Sequence, residues 1–328
     1  MTAPGASSSP PPHLARAGTS LRRIFTGSQG LRSGWGAACF LLLLVALGAA
    51  TYGLIMVLPL PPFESGDTVL MTPFNKGIVD AVLLVIVAIS TSVMAKVERR
   101  RLADYGFPAR KAVTRFFTGA GWGFAFISLL VFALLASHHL ILERHPAPVG
   151  LAFRYGVEWF ISMFFVGAFE ETLFRGYLQW TLARGMTFAV ASSVLAVLFG
   201  IAHGLNPGES RIGIVAAAIF GLVFSLSIWY TRSLWWAIGF HTAWNWGMTF
   251  FYGTPNSGLL AAGHFLSVKP RGAPFVSGGP TGPEGSILML PILLLAGLVI
   301  WVTMRTKRSI GRNKSSSSLD SHTTTSHI

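Results

Sequence analysis

From Trp35 to Leu58 the chain carries no charged residue, and Phe116 to Ser137 is nearly as apolar. Each run exceeds the roughly 18 to 20 residues that a helix needs to cross the hydrocarbon core of a bilayer. With 52% hydrophobic and 11% charged residues over 328 positions, the rest of the chain is also outside the range of soluble domains. The expected fold class is therefore all-α, a polytopic transmembrane helix bundle of about eight spans. Apolar windows place these near 36–58, 77–96, 116–137, 156–180, 187–205, 212–230, 234–252 and 286–304.

The formal charge of +13 would suggest nucleic acid in a soluble protein. Here the cations cluster at span ends and form no single face interleaved with aromatics, so they report topology and no nucleic-acid partner is expected. A cytosolic N-terminus puts Arg16, Arg22, Arg23 and Arg32 inside, with the Lys96 to Arg115 loop, Arg175, Arg184, Arg232 and the basic tail after Trp301. Lys76, Arg144, Arg154, Arg211, Lys269 and Arg271 then fall outside. The positive-inside rule favours this orientation, and an even number of spans returns the C-terminus to the cytosol. An integral protein of a bacterial-type plasma membrane is expected, with the lipid bilayer as its permanent partner.

Residues 1–34, with Pro10 to Pro12, a Ser run and four Arg, read as a disordered basic cytosolic tail. Residues 35–150 form the first transmembrane helices, 151–252 a core of helices, 253–285 an extracytoplasmic loop rich in Gly and Pro, 286–304 the last span and 305–328 a second disordered tail. The 253–285 loop is a candidate lid. The 101–115 loop reads as a solvated connector or a headgroup-facing segment. Cys39 is the single cysteine, which excludes an internal disulfide or a Cys-based metal site.

Within the greasy core lie three polar islands: Glu170, Glu171 and Arg175; His203; and His241 with Asn245. A charged side chain at membrane depth costs roughly 2.5 to 3.5 kcal/mol on insertion scales, so a set of them needs a reason. Glu171 and Arg175 stand at i and i+4 and are expected to pair, leaving Glu170 for chemistry. With a turn at Arg184 to Met186, Glu170 lies about 22 Å and His203 about 27 Å from it along antiparallel helices. His241 and Asn245 share a face about 13 to 20 Å above a turn near Arg232. All three islands are expected to meet at one depth, near the middle of the bilayer. Singly, each histidine could be interhelical glue. Asp80 and Glu158 are expected to be interfacial or helix-pairing groups, and Gly119, Gly121 and Gly123 to let helices approach closely.

The islands resemble the CPBP family of intramembrane proteases, which includes CAAX prenyl endopeptidases and bacteriocin-processing or immunity proteins. The family motifs EExxxR, FxxxH and HxxxN read here as Glu170-Glu171-Thr172-Leu173-Phe174-Arg175, Phe199 to His203, and His241 to Asn245. The similarity covers about residues 152 to 252. It implies an endopeptidase acting on a peptide or membrane-protein substrate, prenylated CaaX-type proteins included. By motif position, Glu170 with His203 would activate water, His241 and Asn245 would stabilise the oxyanion, and Glu171 and Arg175 would support the site. Glu170, His203 and His241 also make a set that could hold Zn²⁺ with water in a fourth position, though the same residues can activate water without metal. Two other classes use such residues: a catalytically idle scaffold or immunity protein of the same fold, and an ion transporter. Transport is disfavoured by the lack of an inverted-repeat pattern or paired broken helices.

Overall fold

The computed structural model describes residues 24–27, 30–57, 70–143 and 148–320. The N-terminal stretch with Arg16, Arg22 and Arg23, the external Arg144 and residues 321–328 lie outside them. The long helices are α1 (Ser33–Val57), α2 (Pro73–Val97), α3 (Ala112–Ala136) and α4 (Val149–Glu171). A π-helical segment, Thr172–Tyr177, joins α4 to α5 (Leu178–Gly185). Then come α6 (Phe188–His203), α7 (Arg211–Thr231) and α8 (Trp235–Trp246), which runs on into a second π segment, Gly247–Tyr252. A one-turn helix α9 (Pro274–Ser277) precedes α10 (Met289–Asp320). A helical segment stands at each of the eight expected positions, and five are long and apolar enough to cross a membrane.

Local sequence sets the helix starts. Thr72, Thr187 and Ser210 each accept a hydrogen bond from the backbone N–H three residues on, satisfying a donor that the first turn would otherwise leave open. Between helices, small residues set the spacing. A Cβ at Gly119 would run into the Trp236 carbonyl, one at Gly123 into the Phe240 carbonyl, and one at Gly239 into the Phe116 carbonyl, so α3 and α8 meet backbone to backbone. Gly121 faces open space and has no such role. Gly200 serves the α6–α7 pair in the same way, against Ile214 and Ala218.

The bundle has two unlike ends. At one, the chain turns through a 3₁₀ segment, Leu102–Tyr105, whose Gly106 carbonyl accepts from the Leu234 N–H. Tyr105 is fully buried and donates to Glu98, which anchors the loop, while Arg101 to Asp104 and Ala109 to Lys111 are exposed, as expected of a solvated or headgroup-facing segment. Glu98 also receives Arg184 at 2.5 Å and the Tyr177 hydroxyl. Arg99, Arg100, Arg101, Arg110, Lys111 and Arg232 belong to the same end.

At the other end, the 253–285 loop is a packed cap. Leu260–Ala261 pairs in parallel with Leu70–Met71, and Ser267–Pro270 pairs antiparallel with Leu140–Glu143. Thr254, Asn256, Ser277 and Thr281 are buried. The Gly and Pro content that suggested an irregular segment instead makes tight turns, with Gly253, Gly258, Gly263, Gly272, Gly278, Gly279 and Gly282 all at positive φ.

Both tails differ from expectation. The first helix begins at Ser33, and among the described residues before it Thr26–Gly27 pairs antiparallel with Gly30–Leu31, with the Phe25 ring tilted against Trp35 at 4.7 Å. At the far end α10 runs to Asp320, well into the stretch expected to be disordered after 304. A helix already nucleated in the span gains one hydrogen bond per added residue, and no proline follows Pro291 to stop it.

Candidate active site

The carboxylates Glu170 and Glu171 end α4, where the backbone changes from α to π geometry. Such segments are frequent at functional sites. The sequence reads as one continuous span here; the structure interrupts it at Gly176, whose ψ of −118° leaves the helical region.

Glu171 is fully buried. Its Oε1 accepts from Arg175 Nη1 at 3.2 Å, the expected i to i+4 pair, and also from His241 Nδ1 at 3.1 Å. Arg175 is equally buried, and its guanidinium lies 4.1 Å from the centre of the Phe199 ring. A dehydrated guanidinium gains attraction from an aromatic face as well as from its anion. Glu171 therefore does more than neutralise Arg175: it also orients His241, as a carboxylate behind an imidazole does in many hydrolytic sites.

The second nitrogen of that imidazole, His241 Nε2, stands 3.7 Å from Glu170 Oε2, beyond direct hydrogen-bond reach. Glu170 Oε2 is itself buried and has no hydrogen-bond partner among the described residues. Phe224 stacks 5.5 Å from the His241 ring on its apolar side.

On α6, His203 Nδ1 lies 2.9 Å from the Phe199 carbonyl. A carbonyl only accepts, so Nδ1 carries the proton and Nε2 is left as the acceptor. Phe199 thus fixes the His203 tautomer with its backbone and supports Arg175 with its ring, a physical account of the FxxxH spacing. Asn245, one turn beyond His241, is 7% exposed and lines the same cavity.

Glu170, His203, His241 and Asn245 line one cavity of about 100 Å³, with Glu171 and Arg175 behind it. The structure thus brings together all six residues, with the carboxylate of Glu170 beside His241 and His203 on the same cavity wall. His203 is the last residue of α6, whose 16 residues rise about 24 Å, so the cap residues reach the cavity at that helix end.

Other lining residues were not singled out from sequence: Lys76, Asn206, Glu209 and Glu284. Lys76 bonds Asp80 at 2.5 Å, so Asp80, like Glu158 with Arg154 at 2.7 Å, is an intrahelical ion-pair partner. Glu284 Oε1 accepts from Trp244 Nε1 at 2.7 Å, and its Oε2 accepts from the Ser257 hydroxyl at 2.7 Å, which ties the cap to α8. Burial and the nearby Glu284 charge push the Glu209 carboxyl up to about 7. Only the polar, turn-like setting of Asn206 to Ser210 hinted at these groups, and that pattern is common to any loop.

No three His, Cys, Asp or Glu side chains converge as a metal-binding group among the described residues. His241 Nδ1 is held by Glu171 and His203 Nδ1 by a carbonyl, while Glu170 approaches His241 alone. Both imidazoles are thus held through Nδ1 with Nε2 open, the orientation a metal ligand takes, but no three such groups converge as placed among the described residues.

Residues 152–247 match the family model described as type II CAAX prenyl endopeptidase, Rce1-like. Over this stretch the chain is similar to that family of intramembrane endopeptidases. No curated protein matches the chain. The matched stretch runs from the start of α4 through α8 and includes every residue of the three motifs. The helices before residue 152 and the cap after 247 lie outside the match, although Lys76 and Glu284 complete the cavity wall.

Proposed function

We propose that this protein hydrolyses a peptide bond of a membrane-associated protein or peptide, prenylated CaaX-type tails among the candidate substrates, by a water activated at Glu170. The observation that carries the reading is the Glu170 Oε2 atom, buried and without a partner among the described residues, on a residue that lines one cavity with His203, His241 and Asn245. A buried carboxylate oxygen without a donor is costly unless a water or substrate satisfies it.

In the proposed reaction Glu170 takes a proton from water, while His203 Nε2 accepts that water's other hydrogen and aims the oxygen. The water oxygen bonds to the scissile carbonyl carbon, and the carbonyl becomes an alkoxide. The Asn245 amide N–H and, when protonated, His241 Nε2–H donate to this oxyanion. Such donors contribute a few kcal/mol each because they are preorganised in a dry site. The C–N bond then breaks, and Glu170 returns its proton to the departing amine. Glu171 and Arg175 position His241 throughout. Every step uses this chain's own side chains, and none is routed through a metal.

The test is a quantitative survey of N- and C-terminal peptides in membranes of cells carrying the wild type or Glu170→Gln, a near-isosteric change that removes the base. Termini present with the wild type and absent with the variant are expected, and they identify the substrate. Identical termini with both proteins stably expressed would instead favour a non-catalytic scaffold.

A further inference from the structure

The two ends of the bundle differ in access to the cavity and in charge, and both differences bear on the substrate. At the capped end the cavity is walled by the α6–α7 turn, with Asn206 and Glu209, and by the cap, with Ser257, Leu259 and Glu284. His203, Asn206, Glu209 and Ser257 are all partly exposed, and Leu205 is 85% exposed. No residue of the 98–111, 184–187 or 232–234 turns lines the cavity.

Toward those turns the site is sealed. Below Glu171 lies Arg175, and below it Gln179, fully buried, donates to Ser192 at 2.9 Å and accepts from Ser225 at 3.2 Å. Three helices are tied across the axis at this level. A polypeptide coming from that end would have to break these bonds and part the helices.

The sealed end is also the basic end. Arg99, Arg100, Arg101, Arg110, Lys111 and Arg184 lie there, joined by the Glu98–Arg184 and Gly106–Leu234 contacts. The cap carries Lys269 and Arg271 offset by Glu209 and Glu284, with Lys269 paired to Glu143 at 2.8 Å. Charge bias of this kind retains the basic end in the cytosol.

We propose that peptide enters this site from the capped, extracytoplasmic end, so that its substrates are exported peptides or the extracytoplasmic juxtamembrane segments of membrane proteins. The proposal rests on the protease reading and narrows it, since a prenylated tail on the cytosolic leaflet would meet the sealed end. The cap then acts as the substrate-facing surface, and Glu209 and Glu284 give it an acidic wall next to the scissile bond.

Sidedness is measured without any substrate. In the full-length protein with Cys39→Ala, single cysteines are introduced as Asn206→Cys in the cavity wall and Leu102→Cys at the basic end, with Leu205→Cys as a second reporter if the first does not accumulate. A membrane-impermeant maleimide is applied to spheroplasts and to inverted vesicles. Labelling of Asn206→Cys in spheroplasts, and of Leu102→Cys only in inverted vesicles, is the expected result. The reverse pattern, or cavity labelling only after solubilisation, overturns the proposal. In the terminal-peptide survey, Glu170-dependent termini are expected within extracytoplasmic segments. Termini in cytosolic segments would overturn the proposal and leave the protease reading intact, whereas no Glu170-dependent termini would remove the protease reading while the labelling still reports which side the cavity faces.

Discussion

Two clusters of buried charge stand at different levels of this bundle, and they are built on opposite plans. Around Glu98, near the basic end, both carboxylate oxygens are engaged: Oε1 by the Tyr177 hydroxyl and Oε2 by Tyr105 at 2.9 Å and Arg184 at 2.5 Å. Around Glu170 and Glu171, at the cavity, Glu170 Oε2, Glu171 Oε2 and Arg175 Nη2 are buried without a partner among the described residues. A fully satisfied network fixes a fold, and a buried network with open valences either costs stability or awaits a ligand. The difference separates structural polarity from chemical polarity within one membrane protein.

Substitutions can break this contrast at either cluster. The largest stability effect is expected from Arg175→Met, which leaves Glu171 facing an unneutralised pocket; removing one partner of a buried pair costs about 3–5 kcal/mol. Its melting temperature in detergent should fall markedly, and Glu171→Gln made in the same chain should recover part of the loss. Asn245→Ala is expected to act on rate instead. Losing one oxyanion donor costs about 10² to 10³ in kcat, with the melting temperature nearly unchanged, as measured on the substrate that the terminal survey yields.

At the other cluster, Glu98→Gln should destabilise by about 1–3 kcal/mol, the range for leaving buried partners of a charged group unsatisfied. Turnover per folded molecule should stay near that of the wild type. If Glu98→Gln instead abolished cleavage at full stability, the division between the two clusters would fail.

The smallest effect concerns pH. Glu209 binds its proton more tightly in the folded protein, near 7, than at its ordinary value of 4.5. The folded state therefore holds more protons between those values, and this contribution to stability is complete below about 4.5 and is lost as pH rises through about 7. Melting temperature should decline across that window in the wild type, and Glu209→Gln should flatten the decline. An unchanged slope in the variant would place the titrating group elsewhere.

Much of this was legible in the chain because lipid constrains sequence strongly. The charge-free runs located the spans, and the i to i+4 spacing of Glu171 and Arg175 located their bond. The close approach of α3 and α8 was written in Gly119 and Gly123, though not in Gly121. Glu98 stayed hidden because a carboxylate among arginines at a span end looks like any solvated loop, and only the fold brings Tyr177 and Arg184 to it. Glu209 and Glu284 lie 75 positions apart in polar, Gly-rich loops, and the cap alone makes them neighbours.

The most direct measurement compares Glu170→Gln with Glu98→Gln in one experiment that reads both melting temperature and cleavage-dependent termini. Glu170→Gln is predicted to keep its melting temperature and lose the termini, while Glu98→Gln loses stability and keeps them in proportion to the folded protein. Termini that persist in a stably folded Glu170→Gln variant would contradict the account.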